Sequence, residues 1–259
     1  MSGAARGAYA CQPMGNGIAY ELLRFRTRDG DETTVYVTRH PLATTQVSVK
    51  CFAEPTRLDH WCAATGHPEA IVAGFFVRDP YRPLGEVWMA GTVVEHEPVA
   101  APWASTRACV HVDGSLRLAR RDELGADPPG DLVQAGPLLV RDGRSIVDDG
   151  DEEGFSAGAG QFDSDITVGR YPRCALGVGD DELIAVCCDG RRSGVDSGLE
   201  LGELARLMVS FGARDAINLD GGGSATLVHR GHLLNRPYSN QDQPAPASRP
   251  VVTALLFAS

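Results

Sequence analysis

The sequence predicts an α+β fold: a mixed, strand-rich sheet with few helices, containing one C-terminal βαβ unit. Three observations lead there. Short apolar runs rich in Val, Ile, Thr, Tyr and Phe recur along the chain, bounded by Gly, Pro and Asp. Only one long stretch, Leu199 to Phe211, places apolar residues (Leu201, Leu204, Ala205, Met208, Phe211) on one face at helical spacing. Strand-like runs enclose that stretch on both sides, Leu183 to Cys188 before it and Ala216 to Leu219 after it.

In chain order, residues 20–25, 33–38 and 46–52 read as strands. Thr56 to Ala64 reads as a short helix capped by Thr56. Ile71 to Val77 is an apolar run of strand length; Pro80, Pro83 and Gly85 mark a loop, and Val87 to Val94 resumes a strand. Ala108 to Val112 and Leu116 to Ala119 flank Asp113-Gly114, a hairpin turn signal, and Val133 to Val140 and Ser145 to Val147 flank a second, Asp142-Gly143. Asp148 to Gly160 is acidic and glycine-rich. A solvated loop is its simpler reading; a structural divalent cation held by Asp148, Asp149, Asp151, Glu152 and Glu153 is the other. Arg173 to Val178 is again strand-like. Ser197 with Glu200 fits a capping box for the long helix, and Gly212 fits the position just past its end. The chain divides into an N-terminal strand-rich segment, residues 1–70, packed on a main domain of residues 71–259.

The chain has 259 residues, 43% hydrophobic and 22% charged, an ordinary globular composition. A net charge of −10 argues against a nucleic-acid or membrane-surface partner, while a small anionic ligand held by local arginines is compatible with it. No run approaches the ~18 apolar residues of a membrane span. Met1 to Gly17 has no apolar core of a signal peptide. The 7 cysteines show no CxxC spacing, so neither zinc nor a disulfide framework is expected. The expectation is a cytoplasmic protein with no cofactor, with room for a homodimer.

The chemistry concentrates at Ala216 to Leu227, where a short apolar strand runs into Asp220 and then Gly221-Gly222-Gly223-Ser224. Three consecutive glycines are entropically costly and make sense where side chains would obstruct something close to the backbone. A strand–helix–strand unit normally makes two parallel neighbours, which would put Asp189 and Asp220 on one sheet edge. With strands ~4.8 Å apart, two such carboxylates fall within the ~5–9 Å of paired acids in glycoside hydrolysis. Taken singly, Asp189 also reads as a turn aspartate and Asp220 as a cap on the glycine amides. The Gly221–Ser224 amides could form an anion nest, although no Walker Lys-Ser/Thr pair is present. Arg170, Arg173, Arg191 and Arg192 flank these strands, and a guanidinium fork suits phosphate.

Asp189-Gly190-Arg191, Gly198 and above all Ile217-Asn218-Leu219-Asp220-Gly221-Gly222-Gly223-Ser224-Ala225-Thr226 resemble the phosphodiester glycosidase family. The similarity extends to Gly74-Phe75-Phe76, Gly85, Arg173-Cys174-Ala175-Leu176-Gly177, Gly231, Asn235, Pro237, Arg249 and Val251. It covers roughly residues 70–258 and is strongest over 170–230. The resemblance implies a hydrolase that cleaves between a sugar anomeric carbon and a phosphodiester oxygen, releasing free sugar and a phosphate monoester; N-acetylglucosamine is a sugar used in the family. It makes Asp189 or Asp220 the nucleophile or base, with Glu86 a third acid. Arg173 and Arg191 are placed around the phosphate. Gly221, Gly222 and Gly223 let the sugar approach the backbone, Asn218 orients the turn, and Ser224 bonds a sugar hydroxyl or the phosphate. Gly74, Phe76 and Gly136 are further substrate-binding positions, and no metal is assigned.

Two positions depart from the family pattern. Ala73 stands where Asn is usual and Cys174 where Thr is usual, so two polar contacts are expected to be missing. Without an export signal, the expected substrate is a cytoplasmic, bacterial-type sugar-phosphate diester of secondary metabolism, self-resistance or envelope biosynthesis. A metal-dependent phosphodiesterase is the rival enzyme, but the histidines show no ligand spacing beyond His229 and His232. A sugar-phosphate-binding protein without catalysis is the non-enzymatic alternative.

Overall fold

The computed structural model describes residues 8–13, 18–147, 152–156, 166–237 and 248–259. Antiparallel pairing organises it. The largest sheet has 8 strands in the spatial order Ala8–Pro13, Ala19–Arg26, Glu32–Pro41, Glu182–Cys188, Arg173–Val178, Asp215–Leu219, Leu138–Arg141, Arg144–Ser145. A 5-stranded sheet runs Ser115–Arg120, Ala108–Asp113, Asp131–Gln134, Val87–Met89, Thr92–Val93. A second 5-stranded sheet runs His232–Leu233, Leu227–His229, Glu69–Val72, Val251–Ala258, Gln46–Thr56. The hairpin Phe76–Arg78/Tyr81–Pro83 stands apart as a 2-stranded arm. Two α-helices, Leu58–Thr65 and Leu201–Ser210, complete the α+β architecture among the described residues. Neither is long and apolar enough to cross a membrane.

The described residues before 71 form no layer of their own. Glu32–Pro41 pairs with Glu182–Cys188 from Pro41↔Glu182 to Val35↔Cys188, and Gln46–Thr56 pairs with Val251–Ala258. Tyr36 and Val49 belong to the same buried apolar cluster as Leu219 and Leu255. That cluster fills one face of the large sheet. The other face carries Val37, Ala175, Val186 and Ala216 against Leu204 and Met208 of the long helix.

Both hairpin signals are realised: Gly114 joins Asp113 to Ser115, and Asp142 and Gly143 take left-handed φ values of 50° and 73° that match the strand twist. Three longer runs are broken. Ile71 to Val77 is interrupted at Gly74, which packs so closely that a Cβ there would sit 2.6 Å from the Gln134 carbonyl oxygen. Val87 to Val94 folds back on itself at Ala90-Gly91, and Val133 to Val140 divides around Gly136-Pro137, where proline has no N–H to offer a ladder. The short helix begins two residues beyond Thr56, whose hydroxyl instead donates to the Glu54 carbonyl. The long helix begins beyond Ser197 as well. Its first turn is held by the Glu200 N–H donating to the Glu203 carboxylate, and Gly212 follows its end at φ 95°.

The strand–helix–strand unit differs most from expectation. Glu182–Cys188 and Asp215–Leu219 do run in the same direction, but they are not neighbours; Arg173–Val178 lies between them, antiparallel to both. The strand pairings also fix which face each residue shares. Arg173 opposes Cys188 and Ala175 opposes Asn218, so these four lie on the helix side; Cys174 opposes both Cys187 and Leu219 on the other side. Carried one residue past each strand end, Asp189 falls beside Pro172 and Asp220 beside Arg173. Adjacent residues of a strand face opposite ways, so the two carboxylates share an edge but not a face.

Candidate active site

A cavity of about 580 Å³ opens where Asp215–Leu219 ends, lined by the glycine turn, by Tyr171 to Arg173 and by the arm that begins at Phe76. Asp220 is half-buried in its wall. Its backbone N–H donates to the Ala73 carbonyl, and its Oδ1 accepts the Gly221 N–H at 2.8 Å. Burial pushes the carboxyl up to about 6, against the opposing pull of the Ser224 hydroxyl, the Gly221 N–H and the Arg249 and Arg78 guanidiniums.

The glycines make room for the protein's own groups rather than leaving a bare floor. A Cβ on Gly221 would lie 2.6 Å from the Pro172 carbonyl oxygen, and one on Gly223 would lie 2.5 Å from Arg249 Nη2. Gly222 takes φ 58°, and a Cβ there would stand 3.0 Å from Arg191 Nη2. Two guanidiniums thus lie against the turn that carries Asp220. The Gly222 N–H donates to the Pro172 carbonyl at 2.7 Å, tying the turn to the neighbouring segment, and the Ser224 N–H donates to Gly221, closing the turn. Ser224 is buried and bonded to Asp220.

Arg191 reaches the cavity from a left-handed position, φ 61°, two residues after Asp189. Arg173 also lines the cavity but is buried, and its guanidinium donates to the carbonyls of Leu199, Ile166 and Gly169. Burial lowers its pKa to about 10, so it stays charged at neutral pH. Asn218 and Phe76 line the cavity too.

Other sequence-predicted positions lie elsewhere. Asp189 is 1% exposed and does not line the cavity; its carboxylate accepts the Tyr36 hydroxyl at 3.0 Å and the Arg236 N–H at 2.7 Å. The parity of the strand register is the reason: it turns Asp189 toward Tyr36, on the face away from Asn218. Glu86 pairs with Arg121 at 2.9 Å and accepts the Trp88 indole N–H, outside the cavity. Gly74 and Gly136 are second-row backbone: Gly74 donates to the Thr253 hydroxyl, and Gly136 bonds Asn218 through both its N–H and its carbonyl. Ala73 and Cys174 are buried and do not line this cavity.

The acidic loop divides. Asp148, Asp149 and Asp151 lie outside the described residues. Glu153 is no solvated carboxylate: it is buried and accepts the Ala108 and Leu138 N–H groups. Among the described residues no three His, Cys, Asp or Glu side chains gather as metal ligands, and His229 bonds Glu69.

Sequence reasoning missed Arg78, Asp79 and Tyr171, and gave Arg249 no role. All four line the cavity. Tyr171 lies under the guanidiniums of Arg173 and Arg191, 5.2 and 5.9 Å from ring centroid to guanidinium carbon. Only its place beside Pro172 and Arg173 hinted at this; Arg78 follows the Gly74-Phe75-Phe76 motif by two residues but is far in sequence from the glycine turn it meets.

The structure resembles the zebrafish N-acetylglucosamine-1-phosphodiester alpha-N-acetylglucosaminidase catalytic domain, auto-inhibited by its pro-peptide, with a TM-score of 0.71 at 21% identity over 98% of this chain and 88% of that one. It also resembles a hypothetical protein from Synechocystis (TM-score 0.62, 19% identity, 93% of this chain and 62% of that one). A putative exported protein of Burkholderia pseudomallei gives a TM-score of 0.66 at 16% identity, over 91% of this chain and 76% of that one. No curated protein sequence matches the chain. Residues 66–258 match the phosphodiester glycosidase family, and the chain belongs to it.

Proposed function

We propose that the protein hydrolyses a small-molecule sugar-1-phosphodiester at the bond between the anomeric carbon and the phosphodiester oxygen. The observation that carries this reading is the Asp220 carboxylate set in a cavity wall beside Arg78, Arg191 and Arg249. A phosphate monoester leaves readily, so the site needs little acid catalysis. It needs charge to meet the departing phosphate and a carboxylate to support the cationic, oxocarbenium-like sugar. The three guanidiniums supply the first and Asp220 the second. Water's oxygen becomes bonded to the anomeric carbon, the carbon–oxygen bond to phosphate breaks with its electron pair going to the phosphate oxygen, and the water proton passes to the Asp220 carboxylate. Asp189 acts from behind, as a positioning residue for the Asp189-Gly190-Arg191 turn and for the Arg236 backbone.

Hydrolysis of a sugar-1-phosphodiester in ¹⁸O-labelled water tests the bond broken. Label in the free sugar is expected. Label in the phosphate would mean P–O cleavage, the metal-dependent phosphodiesterase alternative, and would end this reading.

A further inference from the structure

Arg191 enters the cavity from a loop whose two ends meet. The loop runs from Asp189 to Gly198, and its neck is tight: a Cβ on Gly190 would lie 3.1 Å from the Gly198 Cα. It holds Arg191 at φ 61°, a left-handed value that a residue with a side chain keeps only where its surroundings impose it.

The start of Glu32–Pro41 imposes it. The Thr33 side chain is fully buried; its hydroxyl donates to the Asp189 carbonyl at 2.7 Å and accepts the Gly198 N–H at 3.3 Å. One hydroxyl thus holds both feet of the loop. Val35 and Val37 follow on the same face of the strand, packed among apolar residues, so packing alone would accept valine at position 33. Thr34 repeats the grip farther out. Its carbonyl accepts the Asp189 N–H at 2.9 Å, and its N–H and hydroxyl both donate to Asp196 Oδ1 at 2.8 Å. Arg24 Nη1 donates to the same carboxylate oxygen at 2.8 Å. Asp196 and Arg192 exchange backbone hydrogen bonds, which carries the anchor to the residue beside Arg191.

We infer that Thr33, with Asp196 as the second anchor, is a positioning residue for Arg191, fixing the guanidinium where the departing phosphate needs it. This rests on the proposed function, in which Arg191 meets the phosphate. It gives a part in the reaction to a strand that lies outside the residues, 66–258, that match the family. A fixed charge stabilises a developing charge only from the right place, and holding it there beforehand spares the reorganisation that a loose side chain would need.

The test is a double-mutant cycle in kcat/KM on a sugar-1-phosphodiester, with Thr33→Val, Thr33→Ser and Arg191→Ala. Thr33→Val removes the hydroxyl and keeps the shape; kcat/KM should fall about tenfold or more. Thr33→Ser keeps the hydroxyl and should stay within about threefold of the wild type. With Arg191→Ala already present, Thr33→Val should cost less than about twofold, because the side chain it acts through is gone. An undiminished loss in that background would overturn the inference, as would equal losses from valine and serine, or no loss from valine. Should Thr33→Val fail to fold, Asp196→Asn replaces it in the cycle: asparagine keeps an acceptor for the Thr34 N–H but weakens the tie to Arg24. A loss that vanishes without Arg191 supports the inference, and an additive or absent loss rejects it. Absence of turnover on every sugar phosphodiester rejects the proposed function; calorimetric binding of inorganic phosphate then reads the clamp, and Thr33→Val should weaken it only while Arg191 is present. Phosphate binding that is unweakened, weakened equally without Arg191, or missing from the wild type would reject the inference as well.

Discussion

An Asp220→Asn variant keeps the acceptor for the Gly221 N–H, so it should fold while losing at least ~10² in kcat/KM on a sugar-1-phosphodiester. In the wild type, the Asp220 pKa of about 6 predicts that kcat/KM rises through pH 6 and levels above it; a flat profile from pH 4 to 8 would remove Asp220 from the reaction. Asp189 makes a different prediction. Burial pushes its carboxyl from 3.8 to about 6, so between those values the folded state holds a proton that the unfolded chain has lost. Stability contributed by that proton is full below pH 4, declines as pH rises through the interval, and is gone above 6. The two-unit shift bounds the effect at on the order of 3 kcal/mol. Asp189→Asn should flatten the stability slope over pH 4–6 in denaturant titrations, with the slope that remains traceable to Asp220. The variant should change kcat/KM far less than Asp220→Asn does. Equal losses from both variants would put Asp189 back among the reacting groups.

At the scale of an element, the glycine turn is a junction between a fixed backbone and a movable side chain. Gly221 meets the Pro172 carbonyl, which is held by the Gly222 N–H and cannot yield cheaply. Gly223 meets the far end of the Arg249 side chain, which can swing away. Gly221→Ala should therefore destabilise the protein by about 1–3 kcal/mol. Gly223→Ala should leave the melting temperature nearly unchanged but displace Arg249 and lower kcat/KM. Thermal melts and steady-state kinetics on the two variants check this contrast, and a reversed pattern would contradict the packing described. The loop Ile166 to Arg173 is tied by a comparable device: Arg173 reaches across it to Leu199, and Tyr171 and Leu199 exchange backbone hydrogen bonds.

Across the whole molecule, the stretch that matches the family begins at residue 66, yet the strands before it are structural. Glu32–Pro41 covers Glu182–Cys188 and supplies Val35, Tyr36 and Val37 to the two faces of the large sheet. Gln46–Thr56 covers Val251–Ala258. Without them, two long strand edges and much of both apolar faces would be open to water, and exposed strand edges invite association. A fragment of residues 66–259 should aggregate or lack a cooperative melt, and adding residues 1–65 as a separate peptide should not restore turnover to wild-type levels. A monomeric, cooperatively folded and active fragment would show that the amino-terminal strands are dispensable.

Local chemistry was enough for the sequence to determine several features. These were the strand-rich α+β class, the one long amphipathic helix, both Asp-Gly hairpins, and the placement of Asp220, Asn218 and the three glycines at a common turn; periodicity and turn residues act over a few positions and need no partner. Tertiary structure decided what stands opposite what. Inserting Arg173–Val178 between two strands separated by the helix set the register, and a one-residue offset in that register sent Asp189 to the face opposite Asp220. It also brought Arg78 and Arg249, far apart in the chain, to the same cavity, a meeting that no periodicity or spacing encodes because it depends on pairings more than a hundred residues apart.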